Sequence, residues 1–161
     1  MVIINKLIKG VIATIILVST IISNGLDYDF TEDTSFYVTG FSKHVGVDGD
    51  FNEVHDLIGI EHKNVFIGTY NNSYYDQTFL ATYNFKWSAS EHFESDIASY
   101  FNYGFTAGMS YGYDCDYIDF AICKNKFMPV ITPYIEFDKY FIKPNVSILG
   151  NAFFITFRIG K

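Results

Sequence analysis

Residues 97–113 alternate with period two over a length that few folds accept. Ile97, Ser99, Phe101, Tyr103, Phe105, Ala107, Met109, Tyr111 and Tyr113 fall on one side. Ala98, Tyr100, Asn102, Gly104, Thr106, Gly108, Ser110 and Gly112 fall on the other. Successive side chains of a strand point to opposite faces, so one face is large and mostly aromatic, the other small and weakly polar. A strand of a soluble sandwich buries its apolar face and turns a charged one to water. Here neither face is charged, and the run far exceeds the usual strand of about five or six residues. Lipid outside and a narrow, partly polar lumen inside account for both properties.

The same alternation recurs along the chain. Phe79, Ala81, Tyr83, Phe85 and Trp87 oppose Thr78, Leu80, Thr82, Asn84 and Lys86. Phe153, Ile155, Phe157 and Ile159 oppose Ala152, Phe154, Thr156 and Arg158. Eight strands are predicted, at 36–45, 56–62, 65–71, 77–87, 96–113, 127–137, 140–149 and 152–160. The expected fold is all-β: an eight-stranded antiparallel up-and-down transmembrane β-barrel, following a cleaved signal peptide. Lipid tolerates no open sheet edge, so a membrane barrel must close. Eight strands leave room only for side chains or one small ligand, which excludes a porin.

Of the 161 residues, 19% are aromatic and 18% charged, and thirteen Tyr and seventeen Phe accompany a single Trp. Strands favour such a composition. The formal charge of -7 supplies no basic footprint for nucleic acid, and no nucleic-acid partner is expected. At the N-terminus, Lys6 and Lys9 precede an apolar stretch at 10–22, followed by Ser23, Asn24 and Gly25. A basic segment, a short apolar segment and small residues are the parts of a signal peptide. The expectation is a signal peptide over 1–25, cleaved before Leu26, and a barrel over 26–161.

Export would place Cys115 and Cys123, which share one polar stretch at 114–126, in an oxidising compartment where they can bridge. The connections at 46–55, 72–76 and 114–126 are polar and longer, whereas 63–64 and 138–139 are tight. Outer-membrane barrels carry short turns on the periplasmic side and longer loops outside. Two connections break the rule: 88–95 is long on the periplasmic side and 150–151 is tight on the outer side. Pro129, Pro133 and Pro144 fall within the sixth and seventh strands. Proline removes a ladder hydrogen bond, so two adjacent proline-bearing strands predict a locally unpaired wall. In a lipid enzyme such a gap admits a lipid tail sideways. Gly104, Thr106, Gly108, Ser110 and Gly112 either leave a void in the barrel for an acyl chain or fill a tapering interior beside larger neighbours.

Reactive side chains collect at the outer rim. The end of the first strand brings His44, the first loop brings Asp48, Asp50, Glu53 and His55, and the end of the third strand brings Asn71, Asn72 and Ser73. A His near a Ser, with a carboxylate to orient the imidazole, is the minimum for acyl transfer. Asp48, Asp50 and Asn52 have the opening spacing of a calcium loop, but Glu53 stands where its Gly belongs and no closing Glu follows. No metal and no cofactor are expected.

At this point the residues resemble the lipid A palmitoyltransferase (PagP) family of eight-stranded outer-membrane enzymes, with related barrels encoded by phages and bacteria. Gly104-Phe105-Thr106-Ala107-Gly108 is the best-matching segment. Phe51-Asn52-Glu53 is similar to an aromatic-Asn-Glu step before that family's second strand. The segment 129–133 resembles its proline-bearing sixth strand, and Pro144 a proline of the seventh. The resemblance implies transfer of an acyl chain from phospholipid to lipid A by a monomer in the bacterial outer membrane. It assigns the family's Asp-Ser pair to Asn72 and Ser73, and offers His44 as the catalytic His. Asn72 cannot supply the charge that an Asp gives an imidazolium. The last strand also ends on Gly160-Lys161, without the terminal aromatic usual in such barrels. The expected activity is that of an acyltransferase or acyl hydrolase on outer-leaflet lipid; the alternative expectation is a non-enzymatic surface barrel whose outer loops bind a partner or alter the envelope.

Overall fold

Period-two alternation builds the wall. In a computed structural model, which describes residues 33–118 and 122–160, eight antiparallel strands close into a barrel, each paired with its neighbours in sequence. They are β1 (Thr34–His44), β2 (Val54–His62), β3 (Val65–Asn71), β4 (Gln77–Ser88), β5 (Phe101–Tyr111), β6 (Phe127–Phe137), β7 (Ile142–Leu149) and β8 (Ala152–Gly160). β1 closes the ring by pairing with β8 from Ser35↔Gly160 to His44↔Ala152. The signal-peptide expectation at 1–25 lies outside the described residues.

The outer face is a belt of exposed apolar side chains. Phe79, Phe85, Trp87, Met109, Ile135, Ile148 and Phe153 all point outward, and Ile131 is 70% exposed. Aromatic neighbours pair across the seam of β4 and β5, with Phe85 stacked on Phe105 at 4.5 Å. Inside, buried side chains are largely polar: Thr78, Thr82, Asn84, Asn102, Ser110, Glu136 and Arg158. This inverts the arrangement of a water-soluble barrel, whose interior is apolar and whose exterior is charged.

The strand limits differ from the sequence expectation at two informative places. The fifth strand begins at Phe101 rather than at 96, because Ala98–Tyr100 forms a 3-10 turn. Ser99 Oγ donates to the Asp96 carbonyl at 2.6 Å, a local bond that competes with the ladder. The first strand carries a β-bulge between Val38 and Gly40, with Thr39 at φ +49°. The extra residue reverses the parity of the strand. Tyr37 points inward before the bulge; Gly40, Ser42 and His44 share the inner face after it.

The prolines act as expected. β5 and β6 are joined by eleven register pairs, Phe101↔Phe137 to Tyr111↔Phe127. β6 and β7 share only three, Tyr134↔Ser147, Ile135↔Val146 and Glu136↔Asn145. Pro133 and Pro144 stand just beyond the two ends of that short ladder. Above it, toward the rim, β6 and β7 lie side by side without further ladder pairs.

Candidate functional site

The lumen is divided by chemistry into a floor, a cavity and a rim. The floor lies toward the N-terminal end of β1. Arg158 makes a two-pronged ion pair with Glu136, Nε to Oε2 at 2.6 Å and Nη2 to Oε1 at 2.7 Å, and donates to Ser35 Oγ at 2.9 Å. Lys143 meets Asp138 at 2.5 Å, and Asn102 also donates to Asp138 at 2.6 Å. Tyr37 donates to Glu61 at 2.9 Å, and the Asn84 amide donates to the same carboxylate. Buried charges persist only when paired and hydrogen-bonded, and these are.

Above the floor lies a cavity of about 130 Å³. Leu57, Phe66, Tyr70, Leu80, Val130 and Phe154 contribute most of its apolar lining, and Thr82, Thr106 and Thr132 its middle. Val130, Thr132 and Tyr134 of β6 and Asn145, Ser147 and Leu149 of β7 reach it from the two sides of the sparsely paired seam.

The expected void along the small face of β5 is only partly realised. Thr106 lines the cavity, but Gly104, Gly108, Ser110 and Gly112 do not. A Cβ on Gly108 would run into the Ala81 carbonyl and Thr82 Cα of β4, so this glycine serves close strand approach. Ser110 turns its hydroxyl to the Met128 carbonyl at 3.1 Å.

A second cavity, about 270 Å³, opens at the rim. His44 and Ser73 both line it, so two of the three residues named from sequence do converge. His44 stacks on Phe51 with ring centroids 4.0 Å apart, and Phe51 meets Tyr74 edge-on at 6.0 Å. His44 Nδ1 is buried without a hydrogen-bond partner among the described residues.

Asn72 is fully buried, and its amide is committed to its own loop. Its side-chain oxygen accepts from the Tyr74 and Asp76 amides at 2.8 and 3.1 Å, and its nitrogen donates to Thr78 Oγ1 at 3.1 Å. Asn72 therefore shapes the turn that carries Ser73. The rim and lumen cavities share Leu149 and Phe154.

The Phe51-Asn52-Glu53 step has a structural role at this mouth. The Asn52 side chain donates to the Asn71 and Asn72 carbonyls at 3.2 and 3.1 Å, and its backbone amide donates to the Ser73 carbonyl at 2.8 Å. One residue thus fastens the first loop to the end of β3.

A His–Ser contact not anticipated from the sequence lies deeper in the wall. His55 belongs to β2, not to the first loop, and is 1% exposed. Its Nε2 lies 2.8 Å from Ser42 Oγ, and its Nδ1 lies 2.6 Å from the Asn71 carbonyl. The available signal was parity: His55 alternates with Leu57, Gly59 and Glu61, all on the inner face. Ser42 carried no such signal, because the bulge at Thr39 hides its facing.

No family model matches this sequence, and no curated protein matches it either.

Proposed function

We propose that this chain is a bacterial outer-membrane barrel that acts on the acyl chains of outer-leaflet lipid, as an acyltransferase with phospholipid as donor and lipid A as acceptor. One observation carries the reading: an apolar cavity inside the barrel borders a seam of its wall held by only three ladder pairs. A seam with so few ladder pairs offers lateral entry from lipid, and the cavity offers a dry slot for the end of a chain. The paired charges of the floor stop the chain from below. The ester at the head of that chain then lies at the mouth, beside the rim cavity that His44 and the buried Ser73 line. The belt of Phe79, Phe85, Trp87 and Ile131 supports placement in a bilayer, where apolar side chains face outward.

A second reading is a non-enzymatic surface barrel. Exposed Val45, Val47, Tyr75, Tyr117 and Ile122 in the rim loops favour it, since apolar loop tips suit contact with a partner.

The test is a comparison of lipid A by mass spectrometry from cells with and without this gene. A mass increase equal to one acyl group supports the enzyme. Unchanged lipid A from cells whose outer membranes hold the folded, heat-modifiable protein supports the surface barrel.

A further inference from the structure

We infer that Ser42 is an acyl-accepting nucleophile, with His55 as its general base and the peptide carbonyl of Asn71 as the group that orients the imidazole. This rests on the acyl-transfer reading above and deepens it. A carbonyl oxygen only accepts hydrogen bonds, so the 2.6 Å contact fixes the proton of the neutral ring on His55 Nδ1. The lone pair of Nε2 then faces Ser42 Oγ at 2.8 Å, and the hydroxyl is the donor. That is the geometry of a serine activated by a neighbouring base that a third group holds in place. The carbonyl of Asn71 is itself fixed by the Asn52 amide at 3.2 Å.

His55 lines the lumen cavity, and Ser42 lies buried beside it, itself lining neither cavity. Ser42 sits on the inner face of β1 between Gly40, which lines the lumen cavity, and His44, which lines the rim cavity. Its partner across the β1–β8 ladder is Phe154, which with Leu149 lines both cavities. The Phe154 ring is 5.4 Å from that of His55. A chain lodged in the lumen with its headgroup at the rim passes its carbonyl across this wall.

The step balances without any further reagent. His55 Nε2 takes the hydroxyl proton as Ser42 Oγ attacks the ester carbon. The bond from that carbon to the glycerol oxygen breaks, the proton passes from His55 to that oxygen, and a lysophospholipid leaves. The acyl group, now an ester of Ser42, is attacked by a hydroxyl of the acceptor lipid. His55 removes that proton and returns it to Ser42 as the new ester departs. A carbonyl in place of the usual carboxylate stabilises the intermediate imidazolium less, which predicts slow turnover.

The experiment uses the full-length barrel from outer membranes and a long-chain alkyl fluorophosphonate, with adduct mapping by mass spectrometry. One adduct is expected, on Ser42. It should be absent from Ser42→Ala and slowed about 10²-fold or more in His55→Gln, which loses the base and keeps a polar side chain. An adduct on Ser73, or none on Ser42 of folded wild-type protein, overturns the inference. Lipid A mass spectrometry on the same strains separates the two readings. Labelled Ser42 with unmodified lipid A leaves the nucleophile standing and removes lipid A as acceptor. Modified lipid A in a folded Ser42→Ala strain removes the nucleophile and leaves the acyl-transfer reading in place.

Discussion

At the scale of the residue, Asn72 shows how a position named for chemistry can be held by structure. Two of its side-chain hydrogen bonds stay within the turn that presents Ser73, and the third ties that turn to Thr78 of β4. Asn72→Ala leaves two loop amides and the Thr78 hydroxyl to find other partners, at a cost of about 1–3 kcal/mol. Urea unfolding of the variant in detergent should show that loss, and proteolysis should cut first within 72–76. Stability unchanged from wild type would show that this turn does not depend on its amide. Gly108 is the converse case: small because β4 lies against it, so enlarging it disturbs the wall before it fills the lumen.

At the scale of the element, the β6–β7 seam is the feature to perturb. Replacing Pro133 and Pro144 by Ala returns an amide donor beyond each end of the three-pair ladder. Hydrogen exchange should then show added protection at residues 146–149, with slower lipid modification. Unchanged protection would mean that something other than the missing donors keeps the seam sparsely paired. The prolines were legible in the sequence because a residue without an N–H has the same consequence in any strand. Alternation was legible for a similar reason: period two is local, so Phe79 to Trp87 and Phe153 to Ile159 announce their outward face directly. The bulge at Thr39 was not legible, because one extra residue in β1 is defined only against β2 and β8. Everything that depends on it, including the contact of Ser42 with His55, was hidden as well. Convergence of His44 and Ser73 at one rim followed from strand parity alone, whereas the internal commitment of Asn72 needed the turn's geometry.

At the scale of the whole molecule, the floor is the stabilising counterpart of the sparsely paired β6–β7 seam. Arg158 and Glu136 are 2% and 1% exposed. Glu136→Ala strands a buried guanidinium and should cost about 3–5 kcal/mol, while the paired change Glu136→Met with Arg158→Met should cost much less. Urea midpoints of the single and double variants decide this; equal losses would mean that the two groups are not coupled. Asp138, in the turn after β6, adds a pH dependence. Burial acts to raise its pKa, but hydrogen bonds from Lys143 and Asn102 and the charges of Lys143 and Arg158 outweigh that and hold it below the ordinary carboxylate value. A depressed folded-state pKa contributes stability above the unfolded-state pKa of about 4, and that contribution is lost as pH falls through the folded value. Asp138→Asn should therefore flatten the fall in unfolding midpoint below about pH 4, and an unchanged slope would show that Asp138 contributes none of it.

The cavity above that floor is where the account is most exposed. Thr132 faces it from β6, below Val130 and above Tyr134, so Thr132→Phe should shorten the slot without touching the mouth. The deciding measurement is the lipid A mass spectrum of cells carrying no gene, the wild-type gene or the Thr132→Phe gene, each barrel verified as folded by heat-modifiable migration. The account predicts one added acyl chain with wild type and a shorter one with the variant. Identical spectra from all three strains would contradict it.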